Sequence, residues 1–224
     1  MPQAGIHGMV ATVVRRYIPR KEWLMVGIVL GSIFPDMDNI AIAIATVAKL
    51  PTHGLHRTFT HSVFTIILSF VFFYLVATST KKTRWNTFGI GFGVGILMHV
   101  LLDLVIWFNG VEVLWPISSW VNLWEGFQVP DWLSKFLMPA EFLCFGLFFM
   151  VLASFSRTHN TDVNYQPRLC VWMTVQFVLF AVFTVMVYTM TSGFMTIYGA
   201  IYLLSLFLAF GIVIRMRDTV EALG

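Results

Sequence analysis

Six histidines and 11 acidic residues are spread over 224 positions, and the ones that matter sit in four short motifs. His7 stands near the start of the chain. Asp36 and Asp38 occur in Phe34-Pro35-Asp36-Met37-Asp38-Asn39. His56 and His61 bracket His56-Arg57-Thr58-Phe59-Thr60-His61-Ser62, and His99 precedes Asp103 by four residues. Imidazole nitrogens and carboxylate oxygens together suit Zn, Mn, Fe or Ni. Four histidines and three aspartates exceed one tetrahedral site. They fit two divalent ions, or one ion with an orienting shell and a base. Zn is the first expectation, with Mn or Fe as alternatives. Metals placed this way clamp attacking and leaving oxygens in hydrolysis and phosphoryl transfer. Cys144 and Cys170 lie in apolar runs far from these motifs, so thiolate ligation and a disulfide framework are both disfavoured. His53 has no partner by spacing and reads as a loop residue, and His159 lies on the cytoplasmic side, away from the rest.

The motifs lie in or beside apolar sequence, and the composition says why that matters. The chain is 58% hydrophobic and 11% charged, with a mean hydropathy of +0.81. Soluble domains are about a quarter charged. A fold of this size buries at most about three-quarters of its surface. An ordinary soluble globule, a disordered chain and a nucleic-acid-binding module are thereby excluded, and a polytopic membrane protein remains, with the lipid bilayer as its first partner. Ionisable groups at membrane depth are costly and mark functional sites.

Five apolar runs approach the length of about 20 residues that a bilayer needs: Ser62–Thr80, Thr87–Phe108, Leu133–Phe155, Leu169–Met190 and Phe194–Ile214. Three shorter runs, Ile6–Val14, Trp23–Phe34 and Ile40–Leu50, are expected to pack within the fold or re-enter. No small-residue cleavage site ends the second run, so it reads as retained and not as a signal peptide. The expected fold is all-α, a polytopic transmembrane helical bundle with short re-entrant or half-spanning helices near the N-terminus. Residues 1–131 would form a metal-site module and 132–224 a three-helix extension. Gly27/Gly31, Gly89/Gly93 and Gly91/Gly95 are spaced for close helix packing.

Eleven of the 14 Lys and Arg fall in four clusters, at Arg15–Lys21, Lys81–Arg84, Arg157/Arg168 and Arg215/Arg217. The positive-inside rule puts all four, and the C-terminus, in the cytoplasm. Asn109–Trp132 then faces out, with four tryptophans suited to the interface. Counting helical rise from the cytoplasmic edge, Asp36 sits about 20 Å up and His99 about 18 Å up. A hairpin of Met1–Val14 with Trp23–Phe34 returns His7 to the same level, in the outer half of the membrane. His61 fits less well, since the helical rise from Lys81 is about 30 Å. Glu141 reads as a helix N-terminal charge.

The order from His7 through PDMD, HRTFTHS and His99…Asp103 to Leu114-Trp115-Pro116 resembles the YdjM-like family, described as LexA-binding, inner-membrane-associated, metal-dependent hydrolases. The resemblance runs from His7 to Pro116, about half the chain. It implies an inner-membrane hydrolase whose polar motifs fall on His7, Asp36, Asp38, His56, His61, His99 and Asp103. Three positions depart from the family's frequent pattern: Asn39 stands where His is common, Thr58 where Gly is common and Met98 where Ser is common. LexA binding belongs to individual members and is not carried over. The expected function is hydrolysis of a phosphoester or related bond in a lipid-like substrate. Asp36, Asp38, His56, His61, His99 and Asp103 are the expected metal-binding or orienting set. His7 and Asp38 are candidates for catalytic roles, and Arg57 would neutralise a phosphate. A metal-ion or proton transporter and a non-catalytic membrane scaffold are the competing readings. Substrate, metal and oligomeric state are left open.

Overall fold

The computed structural model describes residues 4–117 and 120–222; Met1–Gln3 of the expected first hairpin lie outside them. The chain is helical, and among the described residues the one extended pairing is an isolated bridge between Val111 and Val121. The helices are α1 (Ala4–Val13), α2 (Leu24–Ile33), α3 (Asn39–Val47), α4 (Val63–Thr80), α5 (Arg84–Ile106), α6 (Asp131–Leu137), α7 (Ala140–His159), α8 (Gln166–Thr189), α9 (Phe194–Arg215) and α10 (Arg217–Glu221). Among the described residues, six elements are long and apolar enough to cross a membrane. Helices must satisfy their own backbone in lipid, which is why apolar runs of this length fold this way.

Two boundaries differ from the sequence reading, both at prolines. The runs Trp23–Phe34 and Ile40–Leu50 are not separate short pieces. Phe34–Asp38 continues as a turn of 3-10 helix between α2 and α3, making a 24-residue apolar element, Leu24–Val47. Pro35 sits in the first turn of that segment, where its missing N–H costs nothing, and the Asn39 side chain donates to the Asp36 carbonyl at 2.8 Å. The run Leu133–Phe155 is divided instead: α6 ends at Leu137 and α7 begins after Pro139, whose ring cannot continue a helix. α1, at ten residues, keeps the expected half-spanning length.

The closest packing is between α2 and α5. A Cβ built at Gly27 would stand 2.4 Å from the Phe88 carbonyl oxygen, and at Gly31 2.1 Å from that of Phe92. At Gly91 and Gly95 it would meet the carbonyls of Leu24 and Ile28, both at 2.2 Å. The two backbones touch because neither carries a side chain there. Gly89 and Gly93 turn the other way and receive the Phe73 and Phe70 side chains of α4. All three glycine pairs are therefore used.

The four basic segments gather at one end of the bundle. Arg84 and Arg217 both lie over the Trp23 ring, at 5.6 and 5.0 Å. Arg15 is buried and donates to the backbone carbonyls of Val220, at 2.7 Å, and Glu221. Asp162 accepts from the Thr219 backbone N–H at 2.8 Å. α4 and α8 are the most outward-facing spans, with 11% of each span's most apolar stretch buried.

Gly31→Ala is expected to cost about 2–3 kcal/mol or more through overpacking against a backbone that cannot yield. Gly199→Ala, with nothing within 4 Å of the new Cβ, is the control. Thermal unfolding in detergent checks both, with a large fall in Tm for the first and none for the second.

Candidate metal centre

The α2–α5 contact brings the end of α2 against the last turns of α5. Four residues beyond Gly95, His99 sends Nδ1 to the Ser32 carbonyl oxygen at 2.7 Å. A carbonyl only accepts, so Nδ1 carries the proton and Nε2 presents a lone pair. One turn further on, Asp103 lies 3.7 Å from that Nε2 through Oδ2. His7 on α1 stacks on His99 with ring centroids 3.7 Å apart, and its Nε2 stands 3.1 Å from Asp103 Oδ1. Asp36 Oδ1 is 3.9 Å from His99 Nε2, and Asp36 Oδ2 is buried with no hydrogen-bond partner among the described residues.

HRTFTHS closes the site from above. His61 lies in a short 3-10 turn ahead of α4, not on the helix, and the extended Ser62 between them N-caps α4. That turn folds the chain back over the bundle end, which removes the depth mismatch the sequence reading found. His61 Nε2 meets His99 Nε2 at 3.1 Å and stands 3.6 Å from Asp103 Oδ2. Its other nitrogen, Nδ1, lies 3.0 Å from Thr60 Oγ1 and 3.4 Å from Asp38 Oδ2. Thr60 Oγ1 also lies 3.1 Å from Asp38 Oδ2; with its proton given there, His61 Nδ1 carries the imidazole proton and two Nε2 lone pairs face each other beside two carboxylates.

Asp38 is the organiser of this loop. Oδ1 accepts from His56 Nδ1 at 2.8 Å and from the Asn39 side chain at 3.3 Å. Oδ2 accepts from the Arg57 backbone N–H and from Thr60, both at 3.1 Å. Asn39, where the family often has His, is therefore an orienting neighbour of Asp38. Arg57 adopts a left-handed conformation, φ 61°, which costs a non-glycine residue about 1–3 kcal/mol. Its guanidinium ties down the strained turn: Nε is 3.3 Å from Asp103 Oδ2 and Nη1 donates to the Asn109 carbonyl at 2.8 Å. The Arg57 carbonyl in turn accepts from Glu112 N–H at 2.9 Å, joining the segment after α5 to the site.

All eight residues singled out from the sequence converge: His7, Asp36, Asp38, His56, Arg57, His61, His99 and Asp103. Three overlapping triads have ligand atoms within 4.8 Å of one another: His7/His99/Asp103, Asp36/His61/His99 and Asp38/His56/His61. Around a tetrahedral Zn-type ion with bonds of about 2.0–2.1 Å, neighbouring ligand atoms stand roughly 3.3–3.4 Å apart. The 3.1 Å between His61 and His99 is slightly shorter than this, and the carboxylate distances, 3.6–3.9 Å, are slightly wider. Burial lowers the pKa of His56 and His61, which keeps both neutral as ligation requires. The donor set fits a divalent cation. His53 and His159 are exposed and outside the cluster, and Cys144 and Cys170 form no disulfide.

The sequence reading missed the supports. Ser32 reaches His99 through its backbone carbonyl, which no side-chain pattern reveals. Thr60 stood inside the recognised motif. Glu141, read as a helix N-terminal charge, is fully buried and accepts the Gly5 N–H at 3.1 Å.

No curated protein and no solved structure matches the chain. One family model does, over residues 4–217, and so continues well past Pro116, where the recognisable motifs end. With nearly its whole length matched and its polar motifs gathered among apolar helices, the chain belongs to the YdjM inner membrane protein family.

Proposed function

We propose that the chain is an integral membrane metal-dependent hydrolase acting on a phosphoester or related bond of a lipid-like substrate. One observation carries the metal half of this reading. His61 Nε2 and His99 Nε2, both lone-pair donors, face each other at 3.1 Å beside Asp36 and Asp103. In the tautomer that puts both imidazole protons on Nδ1, two lone pairs at that distance repel unless a cation lies between them. The charge balance agrees: three aspartates against one arginine leave two negative charges in a buried site, and a divalent ion offsets both.

In this reading His61, His99, Asp36 and Asp103 hold the ion. Asp38, whose oxygens accept from four donors, orients His56 and stands 3.4 Å from His61, as outer-shell carboxylates do for metal-binding histidines. His7 fixes Asp103 from the opposite side. A bound divalent ion supplies Lewis acidity and a nucleophilic water at neutral pH. His56 is the residue best built to take the proton: Nδ1–H is held by Asp38, Nε2 has no partner among the described residues, and its side chain is 17% exposed. Arg57 brings a fixed positive charge to the edge of the site, suited to a phosphate. The tryptophans of the outer loop, with Trp120, Trp124 and Trp132 exposed, suit a substrate arriving from the bilayer interface. The basic end faces the cytoplasm together with the C-terminus, which puts the centre in the outer half of the membrane.

Purified protein is expected to carry stoichiometric divalent metal by elemental analysis, and His61→Ala and His99→Ala to lose it. Unchanged metal content in both variants sinks the proposal. Arg57→Ala is expected to keep its metal yet lose at least tenfold in turnover of a phosphoester lipid. Metal flux into proteoliposomes with no hydrolysis would assign the centre to transport instead. Asp38→Ala strips four donors of their acceptor at once. Limited proteolysis should then cut between residues 50 and 62 at a rate at least tenfold above wild type.

A further inference from the structure

The metal centre is built almost wholly from residues before 104, yet one of its supports comes from α7. We infer that Glu141 is a positioning residue for the centre, acting through α1 on His7; the inference rests on the metal-centre reading. Glu141 is fully enclosed, and its Oε1 accepts the backbone N–H of Gly5 at 3.1 Å. That N–H belongs to the first turn of α1, where no intrahelical acceptor exists. The carboxylate of one helix therefore completes the start of another, 136 residues away in sequence.

The contact is tight as well as polar. A Cβ at Gly5 would stand 2.5 Å from Phe145 N and 2.6 Å from the Cys144 carbonyl carbon. α1 thus rests backbone-to-backbone on α7, one turn beyond Glu141. Two residues after Gly5, His7 has its carbonyl 3.3 Å from Ser32 Oγ, its ring on His99 and its Nε2 beside Asp103. The register of α1 against α7 contributes to the height of His7, and Glu141, one acceptor for one particular N–H, fixes that register together with the close Gly5 contact.

The test uses full-length protein in detergent, loaded with Co2+, whose d–d absorption reads ligand geometry. Glu141→Ala is expected to weaken Co2+ binding about tenfold, the scale of losing an outer-shell partner, to shift the d–d bands, and to speed hydrogen exchange in residues 4–13. Glu141→Gln keeps a carbonyl acceptor and should behave as wild type. Gly5→Ala, which lifts α1 off α7 with Glu141 intact, should reproduce the Glu141→Ala spectrum. Phe142→Leu, a core lesion beside Glu141, should lower Tm without moving the bands. If Glu141→Ala does not fold, Glu141→Asp, one methylene shorter, takes its place. A wild-type spectrum and affinity in Glu141→Ala or Gly5→Ala overturns the inference. A wild-type protein that binds no Co2+ overturns the metal reading itself, and unaltered exchange in residues 4–13 of Glu141→Ala then overturns the anchoring of α1 separately.

Discussion

The backbone contact between α2 and α5 is the constraint on which the rest of the molecule depends. Lipid tails are as apolar as leucine, so membrane helices gain little by hiding apolar surface from them, and close van der Waals packing must hold them together. Gly27 and Gly31 against Gly91 and Gly95 allow carbonyls and backbone atoms to meet directly. On α5 the stripe does not stop at the glycines. Gly91, Gly95, His99 and Asp103 follow at four-residue intervals, so the face that lets the helices touch becomes, two turns on, the face that bears the polar residues. On the other side of the contact, Gly27 and Gly31 of α2 lead directly into Ser32 and, in the 3-10 segment that follows, Asp36. Packing and chemistry share one seam, and the position of the second is a consequence of the first.

A buried site of this charge needs many fixed donors and acceptors, and the arrangement supplies them in layers. Asp36, His61, His99 and Asp103 face inward. Asp38, Thr60, the Ser32 carbonyl and His7 decide which nitrogen of each imidazole holds its proton and which way each carboxylate points. In a low-dielectric interior an unsatisfied member of such a network is expensive. The HRTFTHS loop shows how the expense is met: Arg57 accepts a strained backbone conformation because its N–H, carbonyl and guanidinium all find partners at once.

Much of this was legible in the sequence because a membrane makes polar residues conspicuous. An aspartate in a soluble protein is background; Asp36 and Asp103 among valines and leucines are signals. The spans, the one-sided basic clusters and the convergence of eight residues all follow from that contrast. What stayed hidden depended on local backbone geometry. The PDMDN segment looks like a helix end, yet 3-10 geometry carries it into α3. Pro139 divides an unbroken apolar run without altering its hydropathy. His61 was measured along α4, although it sits on a turn before that helix. Glu141 was visible as an isolated acid, but its partner is a main-chain N–H, and no residue pattern marks one.

Arg15 has a consequence for how the molecule comes together in time. Its guanidinium is buried on carbonyls of Val220 and Glu221, 205 and 206 positions later in the chain, and the Glu221 carboxylate accepts the Val26 N–H at 2.9 Å. The cation of the turn before α2 and an N–H at the start of α2 thus take their protein partners from a segment translated long after them, and α10 works as a latch on the first hairpin.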